Sequence, residues 1–110
     1  MSLSPTSIYK YTQEDVSGIH EIILTPLYGD AVDLWLEAIR GTGYVWLSDP
    51  ILPARTLDLG VEDVGGQGWD IFELGVIPAN GGNFRFAYRR MWEDEPLYVL
   101  NVYVRPGDLR

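Results

Sequence analysis

The chain contains no cysteine and a single histidine, and its 110 residues carry only 8 basic side chains against 16 acidic ones. Without cysteine there are no disulfides, no thiolate metal sites and no cysteine nucleophile. The compartment stays open, because a cysteine-free domain works in cytosol or periplasm alike. His20 belongs to no recognisable motif and reads as a surface or strand residue, and none of the five serines lies in a nucleophile elbow. A small hydrolase is therefore poorly supported, and no catalytic residue is expected. The formal charge of −8 argues against a nucleic acid or an anionic membrane as partner, since both require a positive footprint. It suits a basic or neutral protein partner, or simply solubility. No apolar run approaches the ~18 residues needed to span a bilayer. The start Met1-Ser2-Leu3-Ser4-Pro5 has neither a basic region nor an apolar stretch of a signal peptide. The expectation is a soluble protein, cytoplasmic, or periplasmic or secreted if a signal has been removed.

What is present is a globular composition, 46% hydrophobic and 13% aromatic, with the length of one domain. Residues 1–7 read as a loose tail, 8–11 as a segment too short to classify, and 14–18 as a turn. The run Ile22-Ile23-Leu24-Thr25 marks a strand over 21–27, and Tyr28-Gly29-Asp30 a turn. In residues 31–37, Val32, Leu34 and Leu36 alternate with Asp33, Trp35 and Glu37, the period of a half-buried strand. A helix over 30–40, capped by Asp30, competes with that reading. Short strands follow at 44–47 and 56–59, separated by an irregular connection with Pro50 and Pro53.

Residues 60–68 hold four of the twelve glycines and read as a loop. Residues 69–76 alternate again, with Phe72, Leu74 and Val76 expected on one face. Pro78-Ala79-Asn80-Gly81-Gly82 is a strong turn signal, after which Phe84, Phe86 and Tyr88 alternate with Arg85, Ala87 and Arg89. Residues 97–104 form the last strand. Six or seven short strands without alternating helices indicate an all-β antiparallel sandwich or barrel. In a sandwich of this order, the connections at 39–43, 60–68 and 90–96 emerge at the same end.

Those three connections hold the candidate site. Trp92 follows the point where the alternation breaks at Arg90, and it stands among Arg89, Arg90, Glu93, Asp94 and Glu95. A tryptophan beside arginine in a loop is a preferred anchor of binding surfaces. The competing reading folds Trp92 back as a lid on the core, whereas Trp46 is expected to fill the core. Glu93, Asp94 and Glu95 lack calcium-loop spacing and read as a solvated rim, as do Asp58, Glu62 and Asp63. Gly65-Gly66-Gln67-Gly68 lacks a following lysine and helix, so close approach to a partner suits it better than a phosphate cradle.

The segments Gly41-Thr42-Gly43-Tyr44-Val45-Trp46, Gly65-Gly66-Gln67-Gly68 and Arg90-Met91-Trp92-Glu93 resemble, in order and spacing, three loop motifs of chagasin-type inhibitors of papain-like cysteine peptidases. The similarity runs from about Glu21 to Val104. It implies an immunoglobulin-like β-sandwich of about seven strands that binds a papain-like cysteine peptidase reversibly, as a monomer and without cofactor or metal. By this resemblance the peptidase-binding residues are Gly41, Thr42, Gly43 and Tyr44, which enter the cleft, then Gly65, Gly66, Gln67 and Gly68 on one side, and Arg90, Met91, Trp92 and Glu93 on the other. The chain has Ile39-Arg40-Gly41 where the family carries Asn-Pro-Thr, Gln67 in place of a glycine, and Met91 in place of a proline. An immunoglobulin-like module that uses the same loops to bind another protein, without inhibition, is the alternative.

Overall fold

A computed structural model describes residues 6–39, 41–58 and 67–107. Eight strands follow one another: β1 Thr6–Tyr11, β2 Ile19–Leu24, β3 Ala31–Ile39, β4 Tyr44–Asp49, β5 Ala54–Asp58, β6 Gln67–Val76, β7 Gly82–Arg90 and β8 Tyr98–Val104. They form two four-stranded sheets, ordered β1-β3-β6-β5 and β2-β8-β7-β4. The all-β sandwich is as expected. Its sheets are mixed instead of purely antiparallel, because β1 runs parallel to β3 and β2 parallel to β8. The eighth strand is β1, which takes Thr6 and Ser7 out of the expected tail and pairs them with Ala31 and Val32.

β3 decides between strand and helix by burial. Val32, Leu34, Leu36 and Ala38 are all fully buried, so one parity of the segment reaches the core at every second residue. A helix would carry those four around its circumference, and the core outweighs the helix propensity of the leucines and Ala38. Across the sandwich Phe72 of β6 meets Phe86 of β7 edge-on, with ring centroids 4.9 Å apart. Trp46 packs on Tyr88 at 4.8 Å and donates its indole N–H to the Glu37 carbonyl at 3.0 Å, which satisfies its polar atom in the core.

One expected face is corrected. Phe72 and Leu74 are buried, but Val76 is exposed and Ile77 takes the inward place. Gly75 has φ +72°, and the β3–β6 register shifts between Val32 and Asp33. A bulge of this kind adds a residue to one strand and reverses the parity beyond it.

The strand directions place the connections. β3 ends at Ile39, beside Gln67 at the start of β6, and β5 ends where Asp58 pairs with Gly68. β4 begins with Tyr44 opposite Arg90, the last residue of β7, and β8 begins with Tyr98 opposite Tyr88. The connections β3–β4, β5–β6 and β7–β8 therefore leave from one end of the sandwich. Because β1 is parallel to β3, residues 12–18 between β1 and β2 leave from that end as well.

Candidate functional site

The β3–β4 connection is a tight turn built around Thr42. Gly41 and Gly43 have φ +84° and +83°, a backbone region that costs other residues strain. Between them the Thr42 hydroxyl donates to the Ile39 carbonyl at 2.9 Å and accepts from the Tyr44 amide at 3.4 Å. One side chain thus ties the end of β3 to the start of β4. Below it the Ile39 amide donates to the Tyr88 hydroxyl at 3.1 Å. Burial pushes the Tyr88 phenol above its ordinary pKa, so the group stays protonated under this turn. Tyr44, Tyr88 and Tyr98 stack in a row, with centroid spacings of 5.3 Å and 5.7 Å, and carry the loops on a rigid aromatic base.

Arg90 joins this turn to the β7–β8 connection. Its Nε donates to the Thr42 carbonyl at 2.9 Å, and its guanidinium lies 4.5 Å over the Tyr44 ring and 5.8 Å from the Trp92 ring. Nη1 also sits 3.8 Å from the Glu93 carboxylate, a half-exposed pair that contributes little by itself. Behind the turn the Arg89 guanidinium donates to the carbonyls of Arg90 and Glu93, at 3.3 Å and 3.0 Å. Both arginines therefore spend donors on holding the loops in place.

Trp92 is 72% exposed and lies across the neighbouring tip. A Cβ placed on Gly43 would come 2.6 Å from the Trp92 Cη2, well inside contact distance, so the indole takes this position only over a glycine. That arrangement does not fit a lid on the core. Met91 is exposed beside it, as are Asp94 and Glu95.

The structure thus gathers Gly41, Thr42, Gly43 and Tyr44 with Arg90, Met91, Trp92 and Glu93. Gly65 and Gly66 lie outside the described residues. Gln67 and Gly68 are not loop residues as expected: they open β6, opposite Ile39 and Ala38. The ladder continues because the backbone pairing of β3 extends to its last residue. Among the described residues, no group of three or more His, Asp or Glu is placed to hold a metal ion. A concavity of about 470 Å³ opens at the side of the sandwich and is lined by Leu47, Ile51, Leu52 and Phe72. The Ser48 hydroxyl in its lining accepts from the Leu52 amide.

Sequence reasoning missed the fourth connection at this end, residues 12–18. Val16 is fully buried there and plugs the core. The Asp15 carboxylate accepts from the Thr12 amide at 2.9 Å, and the Gln13 amide donates to the Glu37 carboxylate at 2.9 Å. The Gln13 side-chain amide also donates to the Glu37 carbonyl. The spacing of Thr12 and Asp15 signals a closed turn, but the end from which it projects depends on the direction of β1.

No protein-family model matches the chain, and no curated protein matches it. Solved structures do. The cysteine protease inhibitor EhICP2 from Entamoeba histolytica aligns over 91% of this chain and 97% of its own, with 20% identity and a TM-score of 0.56. PbICP-C, solved in complex with falcipain-2, aligns over 94% of this chain and 100% of its own, with 15% identity and a TM-score of 0.60. At these identities the likeness is one of fold: the chain shares the fold of both proteins along nearly its whole length.

Proposed function

We propose that the chain is a single-domain, reversible and noncovalent inhibitor of papain-like cysteine peptidases. The observation that carries this reading is the exposed Trp92 laid over Gly43, where two connections are fastened into one tip by Arg90. One structural neighbour is a cysteine protease inhibitor and the other was solved in complex with falcipain-2, which supports the same reading. The turn at Gly41, Thr42, Gly43 and Tyr44 enters the cleft near the catalytic cysteine and presents backbone with no peptide bond placed for attack. Gly65, Gly66, Gln67 and Gly68 flank one side, and Arg90, Met91, Trp92 and Glu93 the other. Because Thr42 and Arg90 fix the tips before binding, little ordering cost falls on association. The protein acts as an inhibitor and not as an enzyme. Titration against papain and a cathepsin L-like peptidase tests this: competitive, reversible inhibition is expected, and none at micromolar inhibitor overturns it.

One observation favours a second reading, in which the same tips bind another protein without blocking a peptidase. Gly41 stands where the family motif carries threonine, and its φ of +84° is one a β-branched residue avoids. The tip therefore has a shape the family motif does not adopt unchanged. Installing Asn-Pro-Thr at 39–41 forces residue 41 out of the +84° region and so reshapes the turn; that change sharpens inhibition under the first reading and leaves the second partner's binding unimproved.

A further inference from the structure

The two sides of the sandwich, where the sheets end, are finished differently. Where β1 and β2 are the edge strands, the connection between them buries Val16 completely. Where β4 and β5 are the edge strands, the connection carries Pro50 and Pro53 and leaves Ile51 94% exposed. The concavity of about 470 Å³ opens on this second side, and its volume is that of a small-molecule site, about 300–1,000 Å³. The buried rings of Trp46 and Phe72 line it together with Leu47, Ile51 and Leu52.

The polar side chains of this lining offer spare donors. Arg89 is its one charged residue among the described residues. Nη1 of Arg89 already serves the carbonyls of Arg90 and Glu93, so Nε and Nη2 have no acceptor among the described residues. That edge of a guanidinium takes a carboxylate through two parallel bonds. Across the ladder Arg89 stands opposite Val45, whereas Arg85 stands opposite Asp49, so the cation of the concavity has no carboxylate as its strand partner. The Ser48 hydroxyl accepts from the Leu52 amide, and its own hydrogen has no acceptor among the described residues. A ligand that suits this lining has an apolar body and one anionic acceptor. The formal charge of −8 repels a dianion more than a monoanion, which favours a carboxylate over a phosphate.

We infer that the seam between β4 and β5 binds an apolar monocarboxylate, its hydrocarbon body against Trp46, Phe72 and Ile51 and its carboxylate on Arg89 and Ser48. None of the lining residues belongs to the three tips, so this site is separate from the peptidase contact and does not rest on the inhibitor reading.

Calorimetric titration of the whole chain with octanoate and with chain-matched octanol tests this. Octanoate is expected to bind once per chain and about tenfold more tightly than octanol, as for one charge-assisted pair. Arg89→Gln should abolish that preference, so that acid and alcohol bind alike. Because Arg89 also holds the tip, a second variant is needed: Ile51→Glu changes an exposed side chain, sets a like charge at the mouth, and should weaken octanoate about tenfold at an unchanged melting temperature. Equal wild-type affinity for acid and alcohol overturns the carboxylate. Octanoate binding that Ile51→Glu leaves intact, or no saturable binding by millimolar octanoate, overturns the site.

Discussion

Two places in this molecule present tryptophan outside the core, and they are built differently. On the outer face of the first sheet, Trp35 and Trp69 lie 6.1 Å apart on adjacent strands, and the Lys10 ammonium caps the Trp35 ring at 4.3 Å. Both rings are half-buried. Between them Ile71, paired with Trp35 and Arg55, keeps only 2% of its surface exposed although it faces outward. The pair works as the roof of a small second core. At the loop end Trp92 covers no such residue among the described ones. It lies on a glycine backbone beside Arg90, with most of its ring in solvent. An aromatic that shields a neighbour serves folding, and one that shields nothing yet is held still serves a partner.

The largest effect expected from breaking this contrast is on the sheet. Trp35→Ala should destabilise the fold by about 2 to 3 kcal/mol, near the low end for large-to-small changes because the ring is half-exposed. Denaturant unfolding measures the loss, and inhibition by the remaining folded protein should be unchanged. Trp92→Ala should do the reverse, with affinity for the peptidase falling by about 2 kcal/mol, roughly thirtyfold, at an unaltered unfolding midpoint. If Trp92→Ala lowers stability as much as Trp35→Ala, the tip residue is structural and the contrast fails.

Part of this distinction was legible from sequence and part was not. The alternation of Val32, Leu34 and Leu36, and that of Phe86 with Arg85 and Ala87, specified strands because burial at every second residue needs only local order. The break at Arg90 marked Trp92 as outside that order. The parity beyond Gly75 was not readable, since the bulge depends on how β6 registers with β3. The parallel directions of β1 and β2 were hidden for the same reason. They follow from the chain crossing between sheets after Tyr11, a long-range choice that six residues of β1 do not encode. The end from which the fourth connection projects was lost with those directions. Arg90 was legible as a tip residue, but its bond to the Thr42 carbonyl joins residues 48 positions apart.

Gly43 sharpens the comparison because it alters the support of Trp92 and leaves the ring in place. Gly43→Ala puts a methyl where the indole lies and forces a side chain onto a φ of +83°. Stability should fall by about 1 kcal/mol from the backbone strain. Affinity should fall about tenfold, less than for Trp92→Ala, because the displaced ring still offers its area. A Gly43→Ala protein that binds as well as wild type would show that the resting position of Trp92 does not matter.

The smallest effects come from the groups around Arg90, and they separate stacking from charge. Arg90→Lys keeps the charge but loses the planar group that spans Tyr44 and Trp92, so inhibition should weaken by about 1 kcal/mol, several-fold. Glu93→Gln removes only the exposed ion pair and should change affinity and stability by less than about 0.5 kcal/mol, with little dependence on salt. The reverse order, Glu93→Gln costly and Arg90→Lys harmless, would mean that the tip is held by charge. It would then resemble the Arg55 pairs with Asp33 and Glu73 on the outer face of the first sheet, and the stacked support that distinguishes Trp92 from Trp35 would have to be abandoned.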